Sequence, residues 1–225
     1  MSKITKNAAQ LKLPEEKLLG DWIVCIPGFA LEKYRQLQRS RLSIFSINCF
    51  GGHIYHFLGL PFLSPFVNLY LDNEDFIKFL RAPRIYLEER LFYQGQKFDS
   101  KKTFEFPVAT LGNLSIYMMH YKNFEESVEM WERRKHRINW YNIFAVMWTE
   151  NQEDLEKFDE LPYGKKVCFV PFKSNLDSAW YVNPAIDKRP FNFVNKCIQF
   201  GVGNPLYYDP FDMLLYGKKT PLIDM

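Results

Sequence analysis

No Cys-x-x-Cys pair occurs in this chain; Cys25, Cys49, Cys168 and Cys197 are widely scattered. That spacing excludes the paired-thiol signature of a redox or zinc motif. Cys25 lies in the apolar run Trp22-Ile-Val-Cys-Ile26 and Cys168 in Val167-Cys-Phe-Val170. Both read as small buried hydrophobes in a reducing compartment. An excess of one charge is also missing. Lys and Arg number 29 against 26 Asp and Glu, for a net +3, and the isoelectric point is about 8.5. A duplex-binding domain concentrates more basic charge than this, so no nucleic-acid partner is expected. Met1-Ser-Lys-Ile-Thr-Lys6 carries no apolar leader, which makes a cytoplasmic location the expectation. With 11 Gly and 13 Pro in 225 residues, the chain is neither fibrous nor of low complexity. Its length suffices for one domain with a core that needs neither disulfides nor metals.

From Leu42 to Leu71 there is no Asp, Glu, Lys or Arg. A transmembrane helix needs about 20 mainly apolar residues, but Gly51, Gly52, Gly59, Pro61 and Pro65 interrupt this run. Asn48, His53, His56 and Asn68 would also be costly in lipid. The stretch reads as the buried centre of the fold, with peripheral membrane association left open. Around it the chain alternates. Helices are predicted over 29–39, 52–58, 74–80, 124–138, 153–160 and 210–216. Strands are predicted over 43–47, 66–71, 114–119, 142–147 and 166–170. Asn73 reads as an N-cap, and Asn123 followed by Glu126 has capping-box spacing. Residues 84–106 read as helix followed by polar loop. Short apolar strands alternating with helices predict an α/β fold: a single domain over 1–225 with a mostly parallel, Rossmann-like sheet flanked by helices. Residues 1–20 read as a peripheral N-terminal segment.

Ligands of open parallel sheets bind beyond the carboxyl ends of the strands. Those ends carry Asn48 and Cys49, His120 and Tyr121, Glu150, and Lys173. The turn Asn48-Cys-Phe-Gly-Gly is the sharpest feature. Gly51 and Gly52 allow a tight bend and expose N–H groups at a helix start, suited to a phosphate or a developing oxyanion. Cys49 at that position favours thiolate character, His120 is its candidate base, and Asn48 and His53 are candidate ligand contacts. Packing alone would also account for the cysteine and the glycines. Cys49, His53 and His56 follow a Cys-x3-His-x2-His spacing that His120 could complete for zinc. The glycines that start the helix between them argue against it, and no metal is expected. The run Arg133–Arg137 reads as a solvated helix end, and Asp72–Asp75 as a helix N-terminus. Trp148, Trp180, Tyr181, Tyr207 and Tyr208 are either core aromatics or sugar-stacking platforms.

Four segments carry a resemblance: Ser43-Ile-Phe-Ser-Ile-Asn-Cys-Phe-Gly-Gly-His-Ile-Tyr55, Leu60-Pro-Phe-Leu-Ser-Pro-Phe-Val-Asn-Leu69, His120-Tyr-Lys-Asn-Phe-Glu-Glu126 and Trp131-Glu-Arg-Arg-Lys-His-Arg-Ile-Asn139. Together they resemble a bacterial exopolysaccharide-biosynthesis family catalogued as a domain of unknown function (number 1919), from about Arg41 to at least Phe169. Family members often read Asn-Asn-Cys-Trp-Gly-Gly where this chain has Ile47 and Phe50. The resemblance implies a place in polysaccharide synthesis; the residues must supply the chemistry. Joined to the strand-end residues, it implies a transferase moving an acyl group, with acyl-CoA as a candidate donor, onto a hydroxyl of a sugar or polysaccharide precursor. A glycosyl or phospho-sugar transferase, or a non-enzymatic carbohydrate-binding or assembly protein, is the alternative.

Overall fold

A computed structural model describes residues 26–99, 104–183 and 207–222. The predicted N-terminal segment 1–20, Cys25 and Cys197 lie outside them. Four parallel strands, β1 (Ser43–Ser46), β5 (Ile143–Trp148), β6 (Lys166–Val170) and β7 (Ala179–Tyr181), form one sheet in the order β1-β5-β6-β7. Three antiparallel strands, β2 (Leu91–Asp99), β3 (Phe104–Leu111) and β4 (Leu114–Tyr117), form a second sheet in the order β2-β3-β4. The fold is therefore α/β as expected, with a parallel sheet, but three of the seven strands among the described residues belong to an antiparallel sheet.

Seven helices among the described residues accompany the strands. They are α1 (Leu31–Arg39), α2 (Phe50–Phe57), α3 (Asn73–Arg81), α4 (Pro83–Glu88), α5 (Phe124–Lys135), α6 (Gln152–Asp159) and α7 (Pro210–Tyr216). Side chains alternate across the parallel sheet, as strand geometry requires. Ile44, Phe144, Val146, Val167, Phe169 and Trp180 face one core with α1, α2 and α7. Phe45, Ala145, Met147, Cys168, Val170 and Ala179 face the other. That second core also takes in Phe76 and Phe79 of α3, Trp131 of α5, Phe158 of α6, and Ala109, Leu111, Leu114 and Ile116 of the antiparallel sheet. A strand buried on both faces reads as a continuous apolar run, which is why β5 and β6 are legible. Trp180, Tyr207 and Tyr208 are core residues, 5% exposed or less.

Three expectations are corrected. Residues 66–71 are not a strand: the Val67 N–H turns back to the Pro65 carbonyl (2.8 Å) and Asn68 adopts φ +65°. Only Tyr70 pairs, in a single bridge to Tyr117. Residues 91–99 and 104–106, read as part of a polar loop, lie in strands β2 and β3. Most of β2 is exposed, so the period-2 alternation that announces a half-buried strand is missing. Strand β4 belongs to the antiparallel sheet, so His120 does not follow a parallel strand as the sequence suggests.

Of the two predicted helix starts, one holds and one shifts by a residue. Asn123 Oδ1 accepts from the Glu126 N–H (2.8 Å), while Glu126 reaches back to the Lys122 N–H (3.2 Å). Asp72, not Asn73, is the N-cap of α3; Asn73 Nδ2 instead donates to Thr149 Oγ1 and Asp154 Oδ2. Asp72 accepts from the Tyr117 hydroxyl and Asp75 from the Ser115 N–H, which accounts structurally for that acidic stretch.

Candidate functional site

Helix α2 packs closely over the end of β1. A Cβ on Gly51 would lie 2.8 Å from Ser46 Oγ and 3.1 Å from Ile44 Cγ2, so glycine is what permits this approach. The Tyr55 hydroxyl ties the two elements again, donating to the Leu42 carbonyl (3.0 Å) and accepting from the Ile44 N–H (2.7 Å). Cys49, partly buried, sits at the N-cap of α2. The first helical N–H groups are committed within the chain. That of Phe50 donates to Asn48 Oδ1 (3.0 Å) and that of Gly51 to Ser46 Oγ (3.1 Å).

The segment 66–71 joins the two sheets at this corner. The Leu71 N–H donates to the Ile47 carbonyl at the end of β1 (2.9 Å). Tyr70 exchanges both backbone hydrogen bonds with Tyr117 at the end of β4 (3.0 and 2.9 Å). The His120 N–H then donates to the Asn68 carbonyl (3.2 Å). Residues following β1 and residues following β4 are thereby drawn together.

They meet at a cavity of about 410 Å³. Cys49, Gly52, His53 and His56 line it from the α2 side, and His120 from the far side. Phe62, Val67, Asn68 and Arg134 of α5 complete the lining. The volume is at the low end for small-molecule sites. Burial lowers the pKa of His53, assisted by the positive charge of His56, so at neutral pH its ring offers one donor and one acceptor nitrogen. His53 stacks on Phe57, with centroids 5.9 Å apart. The Arg134 guanidinium donates to the Tyr121 hydroxyl (2.6 Å), which itself donates to the Val67 carbonyl (2.9 Å). Its Cζ lies 5.4 Å from the Phe62 ring centroid.

Of the residues predicted from sequence, Cys49, Gly52, His53 and His120 line the cavity. Five do not. The Asn48 side-chain oxygen and the Gly51 N–H serve the start of α2, and neither residue lines the cavity. Tyr121 is 6% exposed and holds Arg134 instead of lining the cavity. Glu150 and Lys173 are exposed beyond β5 and β6. The end of β5 is instead engaged by α3, through Asn73 and Thr149. Arg134 is the residue that sequence reasoning placed wrongly, as part of a solvated helix end. Its signal was present: three residues after the core residue Trp131, it shares that residue's helical face. The cavity brings Cys49, His53, His56 and His120 together, yet among the described residues no group of three His, Cys, Asp or Glu side chains is placed to hold a metal ion. No described helix is long and apolar enough to cross a membrane.

These observations define an α/β protein with a thiol–imidazole cavity at the edge strand of a parallel sheet. The chain belongs to the family described as a domain of unknown function (DUF1919), whose model matches residues 24–216. It is also similar to an uncharacterized protein of Haemophilus influenzae, 36% identical over 185 residues, or 79% of this chain and 84% of the other. Every residue lining the cavity falls within the matched span 24–216.

Proposed function

We propose that this protein is a cytoplasmic transferase of surface-polysaccharide synthesis that moves an acyl group from a thioester donor such as acyl-CoA onto a sugar hydroxyl. One observation carries the reading: Cys49 and His120, about seventy residues apart in the chain, line the same small cavity. A thiol and an imidazole sharing a site supply a nucleophile and its base. Cys49 Sγ attacks the donor carbonyl and gives its proton to His120; the donor thiol leaves and takes that proton. The sugar hydroxyl then attacks the Cys49 thioester, its proton passing to His120 and on to the released Cys49 sulfur. The pathway comes from the resemblance of the segments around Cys49, Pro65, His120 and Trp131 to exopolysaccharide-biosynthesis proteins.

The test is incubation with acetyl-CoA followed by intact-mass and peptide analysis. An acetyl adduct on Cys49 is expected, absent from Cys49→Ser, with polysaccharide acetylation lost in cells carrying Cys49→Ser or His120→Gln. Folded variants that leave the polysaccharide unchanged would refute the reading. Loss of the glycan backbone itself, instead of one substituent, would indicate glycosyl transfer.

A further inference from the structure

The charge around the cavity is one-sided. Its described lining holds a guanidinium and three imidazoles and no carboxylate. Among the described residues Arg134 forms no ion pair, whereas the neighbouring Lys135 pairs with Glu132. Arg134 is instead positioned by neutral groups: the Tyr121 hydroxyl, fixed in turn by the Val67 carbonyl, and the face of Phe62. A guanidinium has five N–H donors in a rigid fork, and Tyr121 accounts for one of them. Glu126 is near enough to act on the Tyr121 hydroxyl, but a cation held at a cavity wall by neutral groups, in no ion pair of its own among the described residues, is the arrangement that recognises an anion.

We infer that this cavity binds a phosphate group of the substrate, with Arg134 as its anchor and Tyr121 as the residue that positions Arg134. The inference builds on the transferase reading only in placing that phosphate beside Cys49 and His120. It names the substrate class: a phosphorylated sugar, or the phosphate-bearing end of the acyl donor. The cavity's modest size suits one phosphate and its immediate carrier, with any longer portion extending outside.

Binding distinguishes this inference from the transferase reading, because it needs no turnover. Pyrophosphate, glucose 1-phosphate and coenzyme A are titrated calorimetrically into the full-length protein, with glucose as the uncharged control. Saturable binding of at least one phosphate-bearing probe and none of glucose is expected. Arg134→Gln should weaken that binding about tenfold to a hundredfold, the scale of a charged hydrogen-bonded contact. Tyr121→Phe should weaken it by less. Dependence on Arg134 with glucose 1-phosphate alone assigns the phosphate to the acceptor; with coenzyme A alone, to the donor. In the unmodified protein, whichever of the three phosphate probes binds should also slow phenylglyoxal labelling of Arg134, read by peptide mass, so the inference stands or falls even if Arg134→Gln does not fold. Binding of none of the three, equal affinity in wild type and Arg134→Gln, or equal labelling with and without the bound probe at saturation overturns it. No acyl transfer by the unmodified protein, with phosphate binding intact, would overturn the transferase reading alone.

Discussion

Burial of the Lys165 amine pushes its pKa down to about 8, although Asn142 Oδ1 (2.5 Å) and the Leu214 carbonyl (3.2 Å) accept from it. Neutral acceptors satisfy its hydrogens without returning the solvation that its charge loses. The unfolded chain, with an ordinary lysine pKa of 10.5, holds the proton more tightly than the folded one. Stability therefore rises with pH from about 8 towards 10.5, wherever the unfolded state binds more protons. Urea midpoints at about pH 7.5 and 9.5 should separate further for wild type than for Lys165→Met. Parallel shifts would show that Lys165 does not set this slope. The same physics acts at the candidate site, where burial favours the neutral form of the His53 ring. His53 can then donate or accept, while Arg134 supplies a permanent charge.

Helix α2 depends on a residue that has no side chain. Alanine at Gly51 must displace either Ser46 Oγ, which accepts the Gly51 N–H, or the Ile44 methyl behind it. Overpacking of this kind costs about 1–3 kcal/mol. Gly51→Ala should lower the urea midpoint accordingly and move Cys49 relative to His120; an unchanged midpoint would mean that α2 tolerates a shift. The two elements that meet at the cavity were unequally legible. Helix α2 could be read because an apolar strand, two glycines and a helical stretch follow one another in sequence. The segment 66–71 was misread because Phe66-Val-Asn-Leu-Tyr-Leu71 is apolar enough for a strand. Nothing local signals that Asn68 turns left-handed, or that Tyr70 bridges to Tyr117. The nearness of Cys49 and His120 depends on those two facts. The sequence rule that first grouped them, shared ends of one parallel sheet, does not apply to β4. Arg134 was hidden for a different reason, since all four of its neighbours in the run 133–137 are also basic and only its helical register sets it apart.

Across the whole molecule, the first and last described helices are latched by charge. Lys33 of α1 lies 3.1 Å from Asp209 and 2.6 Å from Asp212, whose side chains are 5% and 10% exposed. Burial draws the Asp212 pKa upward, but hydrogen bonds from Lys33 and Thr220 outweigh it, and the net displacement is downward. The latch is therefore present at neutral pH and lost as pH falls through that lowered value. Removing Lys33 leaves two largely buried carboxylates without their cation. A fully buried pair broken in this way costs about 3–5 kcal/mol and an exposed one about 1 or less; with Lys33 30% exposed, about 2 kcal/mol is expected. Lys33→Met should be destabilised by that amount at pH 7, with the gap to wild type narrowing below about pH 4 as Asp212 protonates. A gap independent of pH would assign the loss to packing alone.

The pairing of Ser43 with Ile143, and of Ser46 with Val146, has a consequence during synthesis. Strand β1 has no parallel neighbour until some hundred further residues have been made. At about 5–20 residues per second, the nascent chain carries Cys49 for several seconds or more with neither its sheet nor the imidazole opposite it. The chemistry proposed for that thiol must wait for the distant strand to arrive, so a chain stalled or truncated before β5 would lack the sheet on which the proposal depends.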